Sequence, residues 1–174
     1  LLTHTSRLPK FLPDTINGLF ANFSEDLPFK LHEIDRAYNR ELFFADLHAI
    51  TIDTIPGTRY DYSNIDTEIM AYILEQVYDK SYEALLKAHI FDVAKMPRAA
   101  INLDAPASEH LADGYGFGGR AVPHMANTLW GAAGGIKATL PGLLQYARYQ
   151  LDASAPIVAK SQEKLYETEG GIVG

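Results

Sequence analysis

Pro56-Gly57-Thr58-Arg59-Tyr60-Asp61-Tyr62-Ser63-Asn64 leads straight into Ile65-Asp66-Thr67-Glu68-Ile69-Met70-Ala71-Tyr72-Ile73-Leu74-Glu75-Gln76-Val77-Tyr78. Proline and glycine punctuate the first part. The second carries Ile65, Ile69, Tyr72, Ile73 and Val77 in one stripe, widened by Met70 and Leu74, and this spacing predicts an amphipathic helix. Ser63 or Asn64 can cap it by accepting a first-turn N–H, and Asp66 and Glu68 suit the positive end of its dipole. Tyr62 and Asn64 therefore stand at a helix start, where side chains can be held rigidly at a cleft.

Upstream, Leu31, Ile34, Tyr38, Leu42, Phe43 and Leu47 recur at helical spacing and predict one amphipathic helix over 31–47. Pro9, Pro13, Gly18 and Pro28 mark 8–29 as loop, with a short helix around Thr15–Phe23, and Ile50 to Ile55 alternates like a short extended segment. Downstream, Ser81 caps a further helix with Leu85, Leu86, His89 and Ile90 on its inner side, making a helical hairpin with the first. The stretch 97–130 is punctuated by Pro, Gly and Ala, with weak strands at Leu111 to Phe117 and Ala121 to Met125. Gly131-Ala132-Ala133-Gly134-Gly135 reads as a loop needing close backbone packing. Thr139 caps a helix striped by Leu140, Leu143, Leu144, Ala147 and Leu151, with Pro141 in its first turn. Ser161 opens a last short helix, and Gly170 to Gly174 reads like the approach to a strand that never arrives.

The 174 residues suffice for one domain with a sizeable core. The densest apolar stretch, Ile65 to Tyr78, carries Asp66, Glu68 and Glu75, so no membrane span is expected. Fifteen basic against twenty-two acidic side chains give a net charge of −7, of which −6 falls in residues 1–87. That balance argues against nucleic acid, which needs a basic face. With no cysteine, disulfides, thiolate metal sites and cysteine nucleophiles are excluded together.

Several motifs match in spelling only. Gly114-Tyr115-Gly116-Phe117-Gly118-Gly119 fits a dinucleotide fingerprint, but Arg120-Ala121-Val122-Pro123 cannot supply the helix that such a site requires, and a turn between two strands explains the glycines better. The six histidines show no metal-ligand spacing, and His48 near Asp46 fits a helix end. Asp61 to Asp66 lacks the glycine and a ligand of a calcium loop. No metal and no cofactor is expected.

Two patterns speak to serine chemistry. Ser161-Gln162-Glu163-Lys164 matches S-x-x-K, where a lysine amine one turn away takes up the serine proton, but Glu163 beside Lys164 keeps that amine charged and a poor base. Tyr62-Ser63-Asn64 has the better context. A phenol normally ionises near pH 10, yet beside a cation it can ionise more easily and then accept a proton from a serine. Asn64 can offer an amide donor and a carbonyl acceptor. On residue chemistry alone, a packed tyrosine and a capping asparagine explain the pair better.

Four blocks tip that balance. Leu1-Leu2-Thr3-His4-Thr5-Ser6-Arg7-Leu8-Pro9, Pro56 to Asn64, Ser81-Tyr82 to Ile90-Phe91, and Trp130-Gly131-Ala132-Ala133-Gly134-Gly135 follow the order and rough spacing of the serine β-lactamase family. The sequence resembles its class C and penicillin-binding-protein-like branch, which includes D-Ala-D-Ala carboxypeptidases and esterases. The resemblance implies an α+β fold, here mostly α: the helical portion of the domain over residues 1–174, lacking most of the antiparallel sheet. It implies Tyr62 as the catalytic tyrosine, Asn64 as its companion, and a small-molecule or peptide substrate with an acyl carbonyl.

The family's nucleophilic S-x-x-K precedes the first of these blocks, and its third motif, K-T-G or H-x-G, would lie beyond residue 174. The nucleophile is therefore not expected in this chain, and residues 1–174 alone should be inert. Ser161-x-x-Lys164 falls on the wrong side of Tyr62. A non-catalytic homologue that binds peptidoglycan-type peptides or a protein partner is the competing expectation. The family suggests an extracytoplasmic, periplasmic setting. Arg7 stands in place of the usual glycine, so a turn needing a positive φ would be strained there or differently built, and Lys95-Met96-Pro97 replaces the more usual Leu-Gly-Met.

Overall fold

Leu12, Tyr38, Phe43 and Ile65 form the buried core, drawn from an N-terminal loop, a junction between two helices and two further helical positions. The computed structural model describes residues 1–125, 130–168 and 171–173. Nine α-helical segments run through them: α1 (Thr15–Ala21), α2 (Leu27–Ala37), α3 (Arg40–Ala49), α4 (Asn64–Tyr78), α5 (Tyr82–Leu86), α6 (Ala105–Ser108), α7 (Gly131–Gly134), α8 (Leu140–Gln150) and α9 (Pro156–Ser161). A π-turn, Lys87–Phe91, continues α5. The strands make two small antiparallel hairpins, β1 (Gly114–Tyr115) with β2 (Ala121–Val122) and β3 (Tyr166–Thr168) with β4 (Gly171–Val173). No described helix is long and apolar enough to cross a membrane.

The helix expected over 31–47 is two. Tyr38 and Asn39 take extended backbone angles, and the Asn39 side chain accepts the Leu42 N–H at 3.0 Å, capping α3 afresh. A capping residue in mid-pattern offers the backbone an alternative to continuing the helix, and here it prevails over the periodicity. The Tyr38 hydroxyl donates to Asp46 across the break. Burial and that carboxylate push the phenol above its ordinary value. Phe43 packs edge-on against Phe44 and Tyr72, tying α3 to α4. Fully burying an aromatic of this size stabilises by roughly 1.5–3 kcal/mol.

Other expectations need correcting. On α4, Ile73, Leu74 and Val77 are exposed while Asp66, Glu68 and Ala71 are buried, so only the first half of the apolar stripe faces the core. On the segment after Ser81, which caps α5 as expected, the π-turn inserts one residue into the helical period; Phe91 is buried and His89 exposed. Ile50 to Ile55 joins none of the described strands and is held instead through Asp53 by Arg7.

The loop expected at 131–135 is helical over Gly131–Gly134, although the close packing inferred for it is present: a Cβ on Gly135 would lie 2.8 Å from the Gly131 Cα. Ser161 ends α9 rather than opening a helix. The C-terminal approach does reach a strand, β4, although Gly170 and Gly174 lie outside the described residues, as do 126–129. The turn expected around Gly116 to Gly119 is found, with the Gly116 N–H bonded to the Arg120 carbonyl and Gly119 at φ +73°. Thr139 caps α8 through the Gly142 N–H, but Leu140, Leu143, Leu144 and Leu151 of its stripe are exposed.

Candidate active site

The two blocks 1–10 and 57–64 lie side by side and are joined mainly through the backbone. Gly57 N–H donates to the Thr5 carbonyl, Asp61 N–H to that of His4 (both 2.8 Å), and Asn64 N–H to that of Lys10 (3.1 Å). The Ser63 hydroxyl donates to the Pro9 carbonyl at 2.7 Å. Ser63 thus occupies the N-cap position of α4 without capping it by side chain, because its hydroxyl is committed to the neighbouring segment. This seam fixes where α4 begins, and so where Tyr62 and Asn64 sit.

Arg7 adopts φ +69°, the left-handed backbone that a glycine would take without strain. Its guanidinium clasps Asp53 at 2.8 and 3.0 Å and Asp61 at 3.1 Å. The arginine holds Asp53 below the usual carboxylate range. Two ion pairs thus tie Arg7 to the loop ahead of Tyr62. Lys95 is likewise left-handed, at φ +56°.

Tyr62 is exposed at the start of α4, and its hydroxyl lies 3.4 Å from the Asn64 side-chain oxygen, a long contact. The Asn64 amide nitrogen donates to the Lys10 carbonyl at 3.4 Å. Behind the phenol, the His4 ring packs at 4.4 Å between centroids. The Ser63 N–H points at His4 Nδ1 (3.3 Å), and the wholly buried Asp66 brings a carboxylate oxygen to 3.4 Å from the same nitrogen. The pair foreseen from sequence is therefore brought together, on a support of His4 and Asp66 that no spacing rule flagged. The segment 1–64 closes a long loop, and only the fold sets those residues beside each other.

Ser161 and Lys164 are not joined. The Ser161 hydroxyl donates to the Val158 carbonyl and the Lys164 ammonium pairs with Glu167. His48 lies in the last turn of α3. Among the described residues no group of three metal-ligating side chains assembles.

A family model described as β-lactamase matches residues 1–171. The chain belongs to the β-lactamase family. A solved class C β-lactamase in complex with cefoxitin is 27% identical, with 92% of this β-lactamase-family chain and 39% of that one covered at a TM-score of 0.67. A class C β-lactamase with a Tyr-to-Phe substitution is 26% identical, covering 90% and 40%, also at 0.67. The β-lactamase/D-alanine carboxypeptidase from Pseudomonas syringae, 14% identical, shares the fold at 0.66 over 87% and 37%. No curated protein matches. The chain spans about 40% of the length of these solved β-lactamases, and the mostly helical α+β architecture is that of the matched portion of their fold.

Proposed function

We propose that residues 1–174 supply the general-base wall of a serine acyl hydrolase of the β-lactamase, D-Ala-D-Ala carboxypeptidase or esterase type. The observation that carries this reading is the placement of Tyr62 and Asn64 together at the exposed start of α4, on a seam of hydrogen bonds with the first ten residues. In this reading the Tyr62 oxygen takes the proton of a serine hydroxyl as the serine oxygen attacks an amide, lactam or ester carbonyl. The same group returns the proton to the leaving atom, and water then cleaves the acyl-enzyme. Asn64 orients a lysine ammonium through its carbonyl and a substrate amide through its NH₂. The serine and lysine come from a Ser-x-x-Lys outside residues 1–174, since Ser161 and Lys164 are each bonded elsewhere.

The test is turnover of a chromogenic cephalosporin and a p-nitrophenyl ester. Residues 1–174 alone should hydrolyse neither. A polypeptide that adds an upstream Ser-x-x-Lys and a downstream K-T-G or H-x-G should hydrolyse at least one. Ligand binding without turnover in that longer chain would overturn the proposal in favour of a non-catalytic binding module.

A further inference from the structure

Glu68 is the sixth residue after Tyr62, on the buried side of α4, and it is 4% exposed. One of its carboxyl oxygens accepts two backbone N–H groups from α7, Ala132 at 2.9 Å and Ala133 at 3.0 Å. These are first-turn N–H groups, which have no partner within their own helix and favour negative charge. A four-residue helix of Gly-Ala-Ala-Gly has no side chain with which to anchor itself, so Glu68 supplies its attachment.

The surroundings make that carboxyl responsive to protons. Asp35 from α2 and Glu75 from α4 oppose its ionisation, and the Tyr72 and Tyr82 phenols face it from α4 and α5. α7 itself carries no titratable group. Lys137, the cation near the far end of α7, donates to the Ile101 and Gly135 carbonyls instead. Burial, only partly offset by the two N–H groups, raises Glu68 to about 7.

We propose that Glu68 is a proton-operated clasp that fastens the Trp130–Gly135 segment to α4. The clasp reaches the candidate site by contact: Trp130 packs on Phe11, whose neighbour Lys10 accepts the Asn64 N–H. It makes Glu68 a positioning residue, and its geometry holds whether or not Tyr62 is catalytic. Since the raised value means that the folded state binds this proton more tightly than the unfolded chain, the contribution of Glu68 to stability is complete below the ordinary glutamate range. It is lost as pH rises through about 7.

The protein has one tryptophan, so Trp130 emission reports on the segment directly. Across the neutral range, the emission and the Ala132 and Ala133 amide resonances should shift together, with a midpoint near the Glu68 value of about 7. Glu68→Gln, which keeps an acceptor oxygen, should abolish both shifts while leaving the fold intact. If that variant does not fold, the Glu68 side-chain carboxyl resonance of the unaltered protein must move with the same midpoint as the two amides. Amides that do not titrate, or that titrate equally in Glu68→Gln, would overturn the proposal. A failure of the hydrolysis test alone would leave these resonances unchanged, so the two readings fall separately.

Discussion

Tyr62→Phe, placed in a chain that also carries an upstream Ser-x-x-Lys, is expected to lower kcat/KM for a chromogenic cephalosporin by about 10²- to 10⁴-fold, the range for losing a positioned general base. The substitution removes one oxygen and keeps the ring. The contact of that ring with His4, at 4.4 Å between centroids, should survive, so the loss is chemical rather than structural. The defect should fall on kcat and kcat/KM together, with KM little changed, because the phenol oxygen acts in the transition state. An unchanged kcat with an intact fold would remove Tyr62 from the mechanism.

Phe43→Ala should cost about 3–5 kcal/mol in unfolding free energy, the usual range for truncating a fully buried aromatic. Phe43 is 1% exposed and joins Leu12, Tyr38 and Ile65 in the core that holds α4 in place. The residual cavity would lie against Phe44 and Tyr72, both held in ring contacts, which limits collapse. Ile73→Ala supplies the contrast. Ile73 belongs to the apolar stripe by spacing yet is half exposed, and its truncation should stay within about 0.5 kcal/mol. Denaturant unfolding of the two variants checks both numbers.

That contrast also marks how far the sequence could be read. The existence of α4, the caps at Ser81 and Thr139 and the turn through Gly119 follow from local chemistry, and all are found. The exposed second half of the α4 stripe and the exposed leucine stripe of α8 do not follow, because periodicity says which side is apolar and not whether anything in the described chain covers it. The helical state of 131–134 was illegible for a related reason. Two of its N–H groups bond to Glu68, more than sixty residues away, and a Gly-Ala run has no preference strong enough to announce a helix. Tyr62 and Asn64 were legible as a pair through their motif, whereas His4 and Asp66 were not, since their proximity is created by the seam between 1–10 and 57–64. Arg7 shows the two levels agreeing: a residue out of place for a positive φ takes that φ anyway and is held there by Asp53 and Asp61.

In the proposed function this chain carries the base of an acylating site and not its nucleophile. Mass spectrometry after incubation with a β-lactam tests it most directly. No covalent adduct is expected on residues 1–174 alone, and a single acyl group is expected on the serine of Ser-x-x-Lys in the longer chain. An acyl group mapped to Ser161, or to any other serine within residues 1–174, would contradict it.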